Sequence, residues 1–112
     1  MTTKQTNLQQ NNLISYFKGL ESELVWQIFL EITQIPRPSG REAKIQQYLI
    51  DFAIKHKLAY KKTSIGNIII QKNASLGMEN RKKITMQVHM DMVTTKTIDS
   101  KHNFDTDPII TY

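Results

Sequence analysis

A proline-rich break at residues 36–40, which read PRPSG, constrains the fold strongly because it separates two helical patterns. Before the break, apolar residues recur at three- and four-residue spacing between Leu20 and Ile35. Pro36 ends this pattern, since the residue before a proline is pushed out of helical geometry. The sequence therefore predicts one helix before the break and a second helix after it.

The second helix has a start signal in the sequence. Ser39 and Glu42 have the spacing of a capping box, in which each side chain bonds a backbone N–H that the helix start leaves free. The predicted apolar stripe consists of Ile45, Leu49 and Phe52, with Tyr48 and Ala53 beside it. Basic residues at positions 55–57 suit the end of a helix, where the dipole is negative. We therefore interpret His56 as a structural residue rather than a metal ligand.

Strand patterns follow the second helix. Residues 59–64 and 67–72 flank a glycine-led turn, which predicts a β-hairpin. After a polar loop, residues 84–93 (ITMQVHMDMV) predict a third strand. Two helices, a hairpin and a further strand predict an α/β fold with helices packed on a sheet. These few elements would leave part of the sheet uncovered, so we expect the domain to be incomplete.

The predicted third strand carries a histidine and an aspartate on one face. Side chains alternate along a strand, so His89 and Asp91 point the same way, opposite an apolar face. In one interpretation, His89 is a half-buried polar residue bonded to Asp91 or to a loop. In the other, His89 is a zinc ligand and its second ring nitrogen donates to Asp91. Zinc takes about four ligands, and no other residue clusters with His89 at ligand-like spacing.

Composition argues against several classes of protein. The chain has no cysteine, which excludes disulfides and thiolate metal sites. It has no apolar run of membrane-spanning length, and its polar N-terminus lacks a signal-peptide core. The formal charge of +5 comes from scattered basic residues, which argues against a nucleic-acid partner. Residues 1–19 are predicted to be a poorly ordered polar tail.

Five segments of the chain, from about Leu24 to the C-terminus, resemble those of one known protein family. In chain order they read VWQIFLEITQIPRPSGREAKIQQYLIDFA, IGNIIIQK, GMENRKK, MQVHMDMV and HNFDTDPI. The family is the aminoacyl-histidine dipeptidases, also called cytosol non-specific dipeptidases, a branch of the aminoacylase and carboxypeptidase-like di-metal peptidases. The ordered series carries the resemblance, with GMENRKK just ahead of the His-x-Asp segment.

The resemblance implies that residues 20–112 are the N-terminal portion of a zinc-exopeptidase-like catalytic domain. His89 matches the family's first metal-ligand histidine, and Asp91 matches the catalytic acidic residue that orients this ligand. The family holds two zinc ions, with cobalt or manganese as other candidates, and they activate a bridging water. It also implies a dipeptide substrate, a cytoplasmic location and a homodimer of the complete enzyme. The scattered charges and the lack of a long apolar run, rather than the resemblance, predict no nucleic-acid or membrane partner.

Other residues in the matching segments are interpreted as scaffold. They are Pro36, Ser39 and Gly40 between the helices, Gly66 and Asn67 in the hairpin, Gly77 and Asn80 in the polar loop, and His102 near the C-terminus. In an alternative interpretation, His102 lines the site, because loops near strand ends often do. Asp99, Asp105 and Asp107 do not match the bridging aspartate or the glutamates that the family carries further along the chain. We interpret these three as turn residues.

Two hypotheses of different classes follow. In the first, the chain is the N-terminal piece of a metal-dependent dipeptidase acting on Xaa-His and other dipeptides. It would be inactive alone and would not bind zinc tightly, because one ligand and one carboxylate do not make a hydrolytic centre. In the second, it is a non-catalytic remnant or a small interaction protein on the same scaffold.

Overall fold

A computed structural model describes residue 15 and residues 17–111. Most of the predicted tail, namely residues 1–14 and residue 16, lies outside this range. Of the tail residues that the structure describes, Phe17 stacks on Trp26, with ring centroids 5.3 Å apart. The described residues of Met1–Pro36 and His102–Tyr112 form one compact unit, and Arg37–Lys101 form another. In the described part of the chain, no helix has the length and apolarity needed to cross a membrane.

Helix α1 (Glu23–Thr33) belongs to the first unit. It begins later than predicted because Ser22 adopts a left-handed conformation, with φ of 63°. It ends before the proline break, as predicted. Leu30 and Thr33 are buried. The Thr33 hydroxyl donates to the carbonyl of Leu30 at 2.7 Å, and the Thr33 carbonyl accepts from Ile109 N at 2.9 Å, which satisfies this buried polar residue.

Helix α2 (Ala43–Lys55) supplies two buried apolar side chains to the second unit. Ile45 is 2% exposed and Ala53 is fully buried, which confirms the predicted helix and its apolar face. The backbone N–H of His56 donates to the carbonyl of Phe52 at 3.0 Å where the helix ends. His56 therefore has the helix-end position that the sequence predicted.

The predicted capping box at the start of α2 is wrong. Glu42, not Ser39, immediately precedes the helix, and no side chain caps it. The reason is a turn in which Arg41 N donates to the Pro38 carbonyl at 2.9 Å. Gly40 has a φ of 81° in this turn, a conformation that favours glycine. The turn places Ser39 outside the helix, and the Glu42 carboxylate accepts a hydrogen bond from Gly40 N instead.

Strands β1 (Ala59–Lys62) and β2 (Ile68–Gln71) form the predicted hairpin. They pair antiparallel in a register that places Tyr60 opposite Ile70. Gly66 in the connecting turn has a φ of 91°. A β-carbon at this position would also lie 2.7 Å from an amide nitrogen of the Gln46 side chain on α2. Helix α2 contacts both strands, so the predicted helix-on-sheet arrangement is confirmed for these elements.

The predicted third strand at residues 84–93 does not form a β-ladder. Within the residues that the structure describes, the sheet has two strands, and this segment adds one isolated parallel bridge between Met92 and Pro38. Three side chains of its predicted apolar face are almost fully exposed, Ile84 at 87%, Met86 at 90% and Val88 at 89%. Met90 and Met92 on the same face are half-buried. A strand needs a neighbour to satisfy its N–H and C=O groups, and no described strand lies beside this segment.

Candidate functional site

The side chains of His89 and Asp91 contact each other. His89 Nδ1 lies 2.9 Å from Asp91 Oδ1, and the His89 side chain is 80% exposed. An ionised carboxylate accepts hydrogen bonds but does not donate them, so Nδ1 is the donor in this contact. In a neutral imidazole with this tautomer, the other ring nitrogen, Nε2, carries a lone pair. The pair therefore offers one nitrogen lone pair on an exposed side chain, as a histidine ligand of a metal would.

Asp91 has a second partner that the sequence did not reveal. The Ser39 hydroxyl donates to Asp91 Oδ2 at 2.5 Å, although the two residues are 52 positions apart. Each carboxylate oxygen thus holds one partner, Ser39 on Oδ2 and His89 on Oδ1. One sequence signal bears on this contact, namely Gly40 directly after Ser39. A glycine there favours a turn before the helix, which leaves the serine hydroxyl outside the cap.

A backbone contact brings Ser39 beside Asp91. Met92 N donates to the Arg37 carbonyl at 2.9 Å, and Met92 forms the parallel bridge with Pro38. Pro38 is buried at this point. Ser39 and Asp91 are the residues directly adjacent to the bridged pair. The proline-rich break therefore does more than separate two helices, because it also anchors the segment that carries the His-x-Asp pair.

The two hydrogen bonds favour the ionised form of Asp91. The bond from Ser39, followed by the bond from His89, lowers the pKa of the Asp91 carboxyl from its ordinary value. Desolvation acts in the opposite direction and has a smaller effect. Asp91 is consequently a carboxylate at neutral pH, able to accept from both neighbours at once.

This arrangement supplies one candidate ligand and the group that orients it. A metal-ligating histidine usually donates its other ring N–H to a carboxylate, which fixes the tautomer and the ring orientation. Among the residues that the structure describes, no three histidine, aspartate or glutamate side chains come together as a metal site would require. The donor set therefore fits one corner of a metal centre, with Nε2 of His89 as the candidate ligand atom.

Each of the other two histidines lies beside a phenylalanine ring. The His56 ring lies 4.3 Å from the Phe52 ring at the end of α2. His102 belongs to the first unit, and its ring lies 4.6 Å from that of Phe104.

Asp107 accepts a hydrogen bond from the backbone N–H of Asn103, four residues before it, at 2.7 Å. This contact is the turn chemistry that the sequence predicted for Asp107.

Sequence and structure comparisons agree on what the chain resembles. It is 38% identical over 99 residues to the cytosol non-specific dipeptidase of Escherichia coli (strain K12), which covers 88% of this chain and 20% of that protein. The chain is a homologue of part of a cytosol non-specific dipeptidase. The crystal structure of aminoacylhistidine dipeptidase from Vibrio alginolyticus matches with a TM-score of 0.80 and 38% identity, over 86% of this chain and 20% of that chain. A comparison with models of protein families finds no match.

The dipeptidase comparisons confirm the family resemblance and the fold class. Both cover most of this chain, including the helices and hairpin that the sequence predicted. The chain spans about a fifth of the length of either dipeptidase. The likeness is therefore to a fragment of the dipeptidase fold.

Proposed function

We propose that this chain contributes His89 and Asp91 to the catalytic domain of a metal-dependent dipeptidase that hydrolyses Xaa-His and other dipeptides. The observation that carries the proposal is the 2.9 Å contact between His89 Nδ1 and Asp91 Oδ1. It occurs in a chain 38% identical to a dipeptidase over 99 residues. A histidine–carboxylate pair alone is an unspecific feature, and the similarity to dipeptidases gives it a chemical context.

His89 would hold a metal ion through Nε2, because Nδ1 is engaged with Asp91. Asp91 keeps the proton on Nδ1, fixes the plane of the ring and raises the basicity of the ligand nitrogen. Asp91 therefore acts through His89 rather than as a proton acceptor from water. Its two hydrogen bonds, at 2.5 and 2.9 Å, suit this supporting role.

Zinc suits an imidazole donor, and cobalt or manganese are the alternatives that we include in the proposal. When bound, such an ion polarises the scissile carbonyl and lowers the pKa of a coordinated water. His89 and Asp91 supply too few ligands for two metal ions. Among the described residues, no third histidine, aspartate or glutamate joins them as a metal site would require. We therefore propose that the chain is inactive by itself and binds zinc no more tightly than a surface histidine would.

The proposal extends to the setting of the complete enzyme. The Escherichia coli relative is named a cytosol enzyme, which supports a cytoplasmic location for this protein. The Vibrio alginolyticus relative is named an aminoacylhistidine dipeptidase, which supports dipeptides ending in histidine as substrates. We also propose that the complete enzyme is a homodimer and that it binds neither nucleic acid nor membrane.

A chimeric enzyme tests the proposed function. The matched 99-residue segment of the Escherichia coli dipeptidase is replaced by the corresponding residues of this chain, and hydrolysis of an Xaa-His dipeptide is measured in the presence of zinc. We expect the chimera to be active. His89→Ala should reduce its kcat/KM by more than about 100-fold, because losing a ligand should exceed the loss caused by removing a ligand's partner.

His56→Ala is the matched control, because His56 lies at a helix end. This variant should keep the activity of the chimera. An active His89→Ala chimera would contradict the proposal. An unmutated chimera that folds, as judged by circular dichroism, but does not hydrolyse dipeptides would favour a non-catalytic scaffold instead.

A further inference from the structure

We infer that Ser39 is a positioning residue for the His89–Asp91 pair. Its hydroxyl holds the Asp91 carboxylate so that His89 keeps its proton on Nδ1 and its lone pair on Nε2. This inference rests on the proposed function, since the tautomer matters for catalysis only if His89 binds a metal. Ser39 would act through two other side chains and would touch neither the metal nor the substrate.

The geometry of the carboxylate supports this role. The terminal torsion of an aspartate is broad, so one hydrogen bond does not fix the plane of the carboxylate. Asp91 receives Ser39 on Oδ2 at 2.5 Å and His89 on Oδ1 at 2.9 Å. Two donors on different oxygens define that plane. With the plane fixed, Oδ1 stays in position to accept from Nδ1 and hold the imidazole ring.

The backbone around Ser39 supports the same role. Ser39 stands next to the Pro38–Met92 bridge, and the turn through Gly40 keeps it out of helix α2. Its hydroxyl therefore does not cap the helix, although the sequence pattern favours that role for it. The bridge already connects the two segments through their backbones. A second tie through side chains is not needed for that purpose, which points to the orientation of Asp91 as the use of the hydroxyl.

Ring nitrogen NMR of the 112-residue chain tests the inference without any metal. The ¹⁵N shifts of His89 report which ring nitrogen carries the proton. We expect the Nδ1–H tautomer to dominate in the unmutated chain at a pH where His89 is neutral. In Ser39→Ala the shifts of both ring nitrogens should move toward the averaged values of a freely exchanging imidazole. Ser39→Thr, which keeps a hydroxyl, should restore the original shifts.

Zinc affinity in the dipeptidase chimera provides the second measurement. Ser39→Ala should weaken zinc binding by about tenfold in a chelator competition, at the low end of the range for partners of a metal-ligating histidine. Ser39→Thr should recover most of this loss. Ser75→Ala, in an exposed loop, is the control and should change neither the zinc affinity nor the His89 shifts.

Several outcomes would overturn the inference. Unchanged His89 shifts in Ser39→Ala would show that Ser39 does not position the pair. Equal effects of Ser39→Ala and Ser39→Thr would assign the change to loop packing. These results are separable from a failure of the proposed function, because the ring shifts are measured in the metal-free chain and do not depend on hydrolysis.

Discussion

The α2–hairpin region (residues 43–71) and the His-x-Asp segment (residues 84–93) belong to the same compact unit but differ in how they are held. In the α2–hairpin region, the helix packs on two paired strands and buries Ile45 and Ala53. The His-x-Asp segment has one backbone bridge near its end, at Met92. The first three side chains on its predicted apolar face are at least 87% exposed.

This difference separates the residues that stabilise the fold from the residues that we propose to act in the functional site. Burial of apolar surface is the main favourable term in folding, and in the second unit α2 contributes the apolar side chains that are almost fully buried. The His-x-Asp segment contributes polar contacts between exposed groups, which add little stability. Substitutions in the two regions should therefore affect different measurements.

The largest expected effect is on stability, at Ile45. Ile45→Ala should lower the free energy of unfolding by about 2–5 kcal/mol, because it removes a side chain that is 2% exposed and leaves a cavity. Urea denaturation followed by the helical circular dichroism signal measures this. Ile54→Ala, on the same helix but 56% exposed, is the control and should change the free energy by less than about 0.5 kcal/mol. Equal losses would mean that α2 does not pack as described.

Asp91→Asn should affect activity. In the dipeptidase chimera it should lower kcat/KM by about 10–100-fold, the usual cost of losing the partner of a ligating histidine. The neutral amide attracts the imidazole less, and its NH₂ group can donate to Nδ1 and so select the other tautomer. Asp51→Asn, which changes an exposed carboxylate on α2, should leave kcat/KM unchanged. Similar losses in both variants would contradict a specific role for Asp91.

A smaller effect concerns the titration of Asp91 in the chain alone. Its folded pKa is lowered, so the ionised form contributes stability above the ordinary carboxyl pKa, and this contribution is lost as the pH falls through the folded pKa. Carbon NMR of the Asp91 carboxyl should show the lowered pKa. Ser39→Ala should raise that pKa toward its ordinary value, because it removes the largest cause of the shift. An unchanged pKa would indicate that the Ser39 hydrogen bond does not persist in solution.

The smallest effect is expected at Val88, on the exposed face of the His-x-Asp segment. Val88→Lys should change the free energy of unfolding by less than about 0.5 kcal/mol, because the side chain is already 89% exposed. It should also reduce light scattering by concentrated samples, since it breaks an exposed apolar face. A large loss of stability would mean that this face is covered in the folded chain.

The sequence predicted the elements whose packing partners lie nearby in the chain. The apolar period of α2 and the glycine-led turn at Gly66 were sufficient, because α2 and the hairpin pack on each other within residues 43–71. The third strand was not predictable in the same way. The alternation at residues 84–93 shows which side chains share a face, but a β-ladder also requires a neighbouring strand, which a local pattern does not supply.

The candidate site was partly predictable for a related reason. The His89–Asp91 contact follows from two residues close in sequence. The Ser39 contact joins residues 52 positions apart, and the local pattern around Ser39 favoured a different use of its hydroxyl, as a helix cap. Whether Ser39 caps α2 or bonds Asp91 depends on the turn at Gly40 and the bridge at Met92. These are features of the folded chain.

The claim that His89 is a metal ligand is tested by the zinc content of the dipeptidase chimera. Zinc is measured by atomic spectroscopy after dialysis, with the Escherichia coli dipeptidase in parallel. The chimera and its His56→Ala variant should retain zinc in the same ratio to protein as the parent enzyme, and the His89→Ala variant should retain less. Equal zinc content in the His89→Ala variant and the unmutated chimera would contradict the claim.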